Sequence, residues 1–110
     1  MPNLLTRGLA IVGALQTTGG TILKKVKAGS ATFNPGSIAA TTKLGTAVTI
    51  TGAAVGDRVT VNPRTAFEDD IILSEVVVTA NTATVFLYNP TAGAIDPASI
   101  TLDWLWFDLT

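Results

Sequence analysis

The chain has 110 residues, of which 47% are hydrophobic and 14% charged, with seven Lys or Arg against eight Asp or Glu. That length supports one domain with a modest core, and the apolar content excludes a disordered chain. With no Cys and no His, disulfides, thiolate metal sites, cysteine nucleophiles and imidazole acid–base chemistry are excluded.

Residues 1–20 stand apart. They carry Leu4, Leu5, Leu9, Ile11, Val12 and Leu15, followed by the flexible "QTTGG". A short helix, an added strand and an extended arm laid on a neighbour all fit this segment. An apolar segment of this kind needs a cover. The expected division is an N-terminal arm over 1–20 and a folded domain over 21–110. No apolar run in the chain approaches the roughly 20 residues of a helical membrane span.

From residue 21 onward the sequence is rich in Thr, Val, Ala and Ile, punctuated at short intervals by Gly, Pro, Asn and Asp. That is the pattern of many short strands. "TILKKVKAGSATF" reads as a long or bulged strand with neither face cleanly apolar, and "NPG" at 34–36 as a turn. "KLGTAVTITG" is a clearer strand, with Leu44, Thr46, Val48 and Ile50 on one face. "DRVTVNP" places Val59 and Val61 inward and ends at Pro63, which cannot donate to a ladder. "RTAFEDD" is a polar connection. "IILSEVVVTA" and "TATVFLYNP" are two strands joined by "AN", the second with Ala83, Val85 and Leu87 on one face and Phe86 and Tyr88 on the other. "NPTAGAIDPAS" is a loop, and "ITLDWLWFDLT" is the last strand. The expected fold is all-β: a β-sandwich of about six or seven antiparallel strands with an N-terminal arm. A small barrel is the alternative.

Parity separates that last strand into two faces. Ile100, Leu102, Trp104 and Trp106 form one continuous stripe. The other face begins polar at Thr101 and Asp103 and turns apolar at Leu105, Phe107 and Leu109. A strand apolar on both faces is expected where both are covered. The Trp stripe fits core packing, an interface, or a platform for a sugar ring.

Charge is divided along the chain. All seven basic residues lie in residues 1–64, where Asp57 is the single acid, a net of +6; residues 65–110 hold seven acids and no base, a net of −7. Either strands of the two halves pair and the charges mix within one domain, or a basic part of one subunit meets an acidic face of the next. The basic cluster Lys24, Lys25 and Lys27 is small and lacks interleaved aromatics, so nucleic acid is not expected as a partner. The acids Glu68, Asp69 and Asp70 have no spacing of a known calcium loop. No cofactor, no metal and no membrane partner is expected, and no catalytic constellation stands out.

The stretch "SIAATTKLGTAVTITGAAVGDRVTVNP", and later "NTATVFLYNPTAGAIDPASITLDWLW", together resemble a module of tailed-bacteriophage structural proteins. The resemblance covers roughly residues 30–106 and lies in the order and spacing of "SIAA", "TGAAVGD", a Val-rich strand ending in Pro, "NTATV", an Asn and "AIDPAS". It implies a β-sandwich, usually trimeric, that decorates capsids or forms distal parts of tail fibres, without catalysis. Residues 1–29 have no counterpart in the module, and an added arm on a short chain fits a capsid decoration (cement) protein better than a fibre. The expectation is a virion protein on the capsid surface, a homotrimer whose partner is the major capsid protein. A tail-fibre or baseplate module that binds host glycans is the alternative. The expected contact residues are Leu4, Leu5, Leu9 and Ile11 of the arm, Lys24, Lys25 and Lys27, and Trp104, Leu105, Trp106, Phe107 and Leu109.

Overall fold

The computed structural model describes residue 20, residues 23–67 and residues 70–110. The arm residues Leu4, Leu5, Leu9 and Ile11, and the acids Glu68 and Asp69, lie outside the described residues. Six strands follow one another: β1 (Lys25–Phe33), β2 (Thr42–Thr49), β3 (Arg58–Pro63), β4 (Ile72–Thr79), β5 (Thr82–Asn89) and β6 (Ile100–Asp108). No helix occurs among the described residues. The strands form two antiparallel three-stranded sheets, ordered β1-β6-β3 and β2-β5-β4. The architecture is therefore a small β-sandwich, and the expected all-β fold is the observed one.

Period-two alternation explains which residues fill the space between the sheets. On β5, the central strand of its sheet, Ala83, Val85, Leu87 and Asn89 are fully buried and the residues between them are half-buried. On β6, central in the other sheet, Leu102 and Trp106 are buried at 0% and 1% exposure. Phe33, Val48, Ile50 and Val59 join them from β1, from β2 and its end, and from β3. Phe67, in the connection after β3, packs edge-on against Phe33, with ring centroids 6.4 Å apart at 64°. Each fully buried aliphatic or aromatic side chain contributes roughly 1.5–3 kcal/mol relative to exposure.

The connections are fixed by side-chain hydrogen bonds. Asn81 closes the β4–β5 hairpin with φ 57°, a left-handed conformation that Asn tolerates better than most residues. Its backbone and side chain then tie the hairpin to the β2–β3 loop: Ile50 N–H donates to Asn81 O (3.0 Å), Asn81 N–H to Ala53 O (2.8 Å), and Gly52 N–H to Asn81 Oδ1 (2.8 Å). At the other end Asn89 organises the β5–β6 loop. Its Nδ2 donates to Ile38 O (2.9 Å) and Gly93 O (2.8 Å), while its Oδ1 accepts from Thr91 N–H (2.9 Å) and Thr91 Oγ1 (2.6 Å). All four capacities of this buried amide are used. The bridge Ile38–Ile95 beside it is held by two backbone bonds of 2.7 and 3.0 Å.

The two oppositely charged halves meet inside this one sandwich. The β1-β6-β3 sheet joins basic strands to an acidic one, and Arg64 grips Asp103 with two bonds of 2.9 Å. In the other sheet Lys43 of β2 reaches Glu75 of β4 at 2.5 Å across the central strand. The charges mix within the subunit, so the sequence asymmetry does not give a bipolar domain over the described residues.

Candidate interaction surface

The Trp stripe and its opposite face end up with different neighbours. Trp106 points between the sheets, against the β2–β3 loop. A Cβ added at Gly52 would lie 2.9 Å from its ring, so this loop passes the indole at a distance only glycine allows, and Gly52 has φ +97° as well. The indole N–H donates to Asp57 Oδ2 (3.0 Å). Asp57 also accepts from Ala54 N–H (3.0 Å), Leu109 N–H (3.0 Å), Thr110 N–H (3.1 Å) and Thr110 Oγ1 (2.9 Å). Burial raises the carboxyl pKa, but the bonds from Leu109, Trp106, Thr110 and Ala54 together outweigh it and bring Asp57 from the ordinary 3.8 down to about 2. Lys25 lies over the Trp106 ring, its Nζ 4.8 Å from the centroid. Trp106, expected among the contact residues, is thus a core residue.

Trp104 sits one row further along the same stripe and is half-buried. Its register partner on β1 is Gly29, where a Cβ would come within 2.2 Å of the Trp104 ring. The indole lies flat over the glycine of an edge strand, which supplies the apolar cover that glycine lacks. Gly45 and Phe86 repeat the device in the other sheet, with 2.6 Å from a Gly45 Cβ to the Phe86 ring. Neither tryptophan is left as an open, flat platform.

The opposite face of the same sheet is different. Val26, Phe107 and Arg58 form one cross-strand row, and Ala28, Leu105 and Thr60 form the next. Val26 and Leu105 are each 42% exposed, Ala28 is exposed, and Phe107 is half-buried. Residues 28–30 of β1, residues 60–62 of β3, and Asp103, Trp104 and Leu105 of β6 line a shallow open depression of about 440 Å³. Small side chains on β1 produce the hollow beside the taller Leu105. An apolar patch rimmed by Arg58, Thr60 and Asn62 has the composition of a docking surface.

Of the other expected contact residues, Leu109 is half-buried and its N–H is engaged by Asp57. Lys24 donates from its backbone to Asp108 O (2.8 Å) and from its ammonium to Thr110 O, while Lys27 is exposed on the edge of β1. The structure therefore brings Leu105 and Phe107 together with Val26 and Ala28, which the sequence reading left out. They were legible only once the Val26↔Phe107 and Ala28↔Leu105 register was known.

A second exposed apolar strip lies on the outer face of β2-β5-β4, where Ile72 is 51% and Val77 42% exposed. Here Phe86 is already occupied: Lys43 Nζ is 4.9 Å from its ring centroid and also pairs with Glu75. Among the described residues no group of three or more Asp or Glu is placed to hold a metal ion, and no buried side-chain polar atom is without a partner. Comparisons with protein-family models, with curated proteins and with solved structures each found no match.

Proposed function

We propose that this chain is a structural protein of a tailed-phage virion, a capsid decoration (cement) subunit that binds the outer capsid surface and stabilises the head. The observation that carries the reading is the outer face of β1-β6-β3. It pairs an apolar cluster, Val26, Leu105 and Phe107, with a shallow hollow, on a sandwich in which, among the described residues, every buried side-chain polar atom has a partner. Such a surface suits burial against another protein. The segments that resemble the phage module also contain the residues that fix this fold, Asp57 of "TGAAVGD" and Asn89 before "PTAGAIDPAS".

The mechanism is mechanical. A subunit that binds only the assembled lattice shifts the assembly equilibrium toward the intact shell, by an amount set by its concentration relative to its dissociation constant. Homotrimer formation would add avidity, since linked sites bind together. The glycan-binding alternative draws no support from Trp106, which is closed off, and is left only the half-buried Trp104 beside the hollow.

The test is the location and copy number of the chain in virions. The decoration reading expects it on purified heads at a copy number comparable to the capsid lattice sites. Recovery with tails at a few copies per particle, or absence from virions, overturns it.

A further inference from the structure

We infer that the outer face of β1-β6-β3 docks on the outer face of β2-β5-β4 of a second copy of this chain. The inference rests on the reading above only in taking the chain to assemble; it does not require a capsid. Three observations carry it.

First, the exposed apolar surface is concentrated in two strips. Of the large apolar side chains exposed among the described residues, Val26 and Leu105 lie on the first face and Ile72 and Val77 on the second, each at 42–51% exposure; Val55 and Leu73 alone lie off these strips. Half-buried rings extend both strips, Phe107 across from Val26 and Tyr88 across from Ile72. Laying one strip on the other removes apolar surface of both from water at once. Second, the two strips cannot cover each other within one subunit. They face outward from opposite sheets, and packed sheets lie about 10 Å apart. Their contact therefore joins two copies head to tail. Third, charge selects the same pairing. The Arg64–Asp103 and Lys43–Glu75 pairs are closed within the subunit. Arg58, in the row of Val26 and Phe107, is exposed and has no ion-pair partner among the described residues; the same holds for Asp70, two residues before Ile72. The head-to-tail contact offers each unpaired charge one of opposite sign, whereas stacking either face on itself offers a like charge.

Because the chain has no cysteine, introduced thiols report contacts without background. Purified Leu105→Cys carrying a size tag is mixed with purified Val77→Cys and oxidised. The disulfide-linked heterodimer should form at least tenfold faster than from Leu105→Cys mixed with Val55→Cys, a loop position that is 73% exposed and off both strips. It should also form faster than Leu105→Cys linked to itself. The double variant Leu105→Cys/Val77→Cys should give linked oligomers, since a disulfide needs Cα atoms within about 7 Å and opposite faces of one sandwich lie further apart. Arg58→Glu in the Leu105→Cys chain should slow the linking, and Asp70→Lys in the Val77→Cys chain should restore it. Equal linking to positions 77 and 55, faster linking of Leu105→Cys to itself, or a charge exchange that restores nothing overturns the inference. Since no capsid is present, failure here leaves the virion reading standing, and absence from virions leaves the cross-link result standing.

Discussion

Leu102 and Leu105 are three residues apart on β6 and point to opposite faces, so truncating each asks what its face does. Leu102 is fully buried between the sheets. Replacing such a leucine by alanine removes its transfer energy and leaves a cavity, at a cost of about 2–5 kcal/mol. At about 4–8 °C per kcal/mol for a domain of this size, Tm should fall by at least about 8 °C. Leu105 keeps 42% of its exposure within the subunit. Of the roughly 1.5–3 kcal/mol that complete burial of a leucine contributes, the isolated subunit has gained about half. Leu105→Ser should therefore cost the dissociated subunit only about 1 kcal/mol, and the remainder should appear as weakened association. The assay is thermal melting at a concentration low enough to dissociate the chain, alongside sedimentation velocity at a concentration where it associates. Leu102→Ala should lower Tm with association following folding. Leu105→Ser should lower the dilute Tm by only about 4–8 °C and shift the sedimentation boundary toward the monomer. If Leu105→Ser lowers the dilute Tm as much as Leu102→Ala, the outer face is part of the subunit core and the docking argument fails.

Other consequences follow from the loops. Asp57 titrates near 2 when folded against 3.8 ordinarily, so it binds fewer protons in the native state. Its contribution is complete above about pH 4 and is lost as pH falls toward 2; the slope of Tm across that window should shrink in Asp57→Asn, and an equal slope would assign the acid sensitivity elsewhere. Asn89→Asp keeps the shape but turns the two donors toward Ile38 O and Gly93 O into an acceptor. Ile38 O keeps its bond from Ile95 N–H and Gly93 O that from Thr91 Oγ1, so the cost is that of burying a carboxyl group against two carbonyl oxygens; Tm should drop, and limited proteolysis should cut first within 90–99. Gly52→Ala meets both a φ of +97° and the Trp106 ring, which should cost on the order of 1–3 kcal/mol and redshift the tryptophan emission; a neutral outcome would mean that the loop does not press on the indole. Gly29→Val should displace Trp104 and change its fluorescence while leaving the Trp106–Asp57 bond in place.

Much of the fold was legible because the strands are short, alternating and bounded by turn residues. Val59 and Val61 before Pro63, and Ala83, Val85 and Leu87 before "NP", mark faces and ends without ambiguity, and each inward residue is where parity put it. What was not legible is the pairing. β1 lies beside β6, 67 residues later in the chain between Phe33 and Ile100, and only that register puts Val26 against Phe107 and Gly29 under Trp104. The role of Asp57 was hidden for the same reason. Its donors come from Trp106, Leu109 and Thr110, about fifty residues away, and a "GD" turn announces a bend but not a long-range hydrogen-bond hub. Charge left a choice open between mixing within one domain and a bipolar subunit; antiparallel pairing of the two halves gives the first over the described residues, with local contacts such as Arg64–Asp103.

The proposed assembly requires that the outer face of β1-β6-β3 be covered when the protein works. A single thiol at position 105 measures this directly, because Leu105→Cys would be the only cysteine in the chain. Its rate of maleimide labelling should fall at least tenfold on going from the dilute, dissociated chain to the assembled state on virion heads. Equal rates in the two states would show that Leu105 faces water throughout, and would contradict the account.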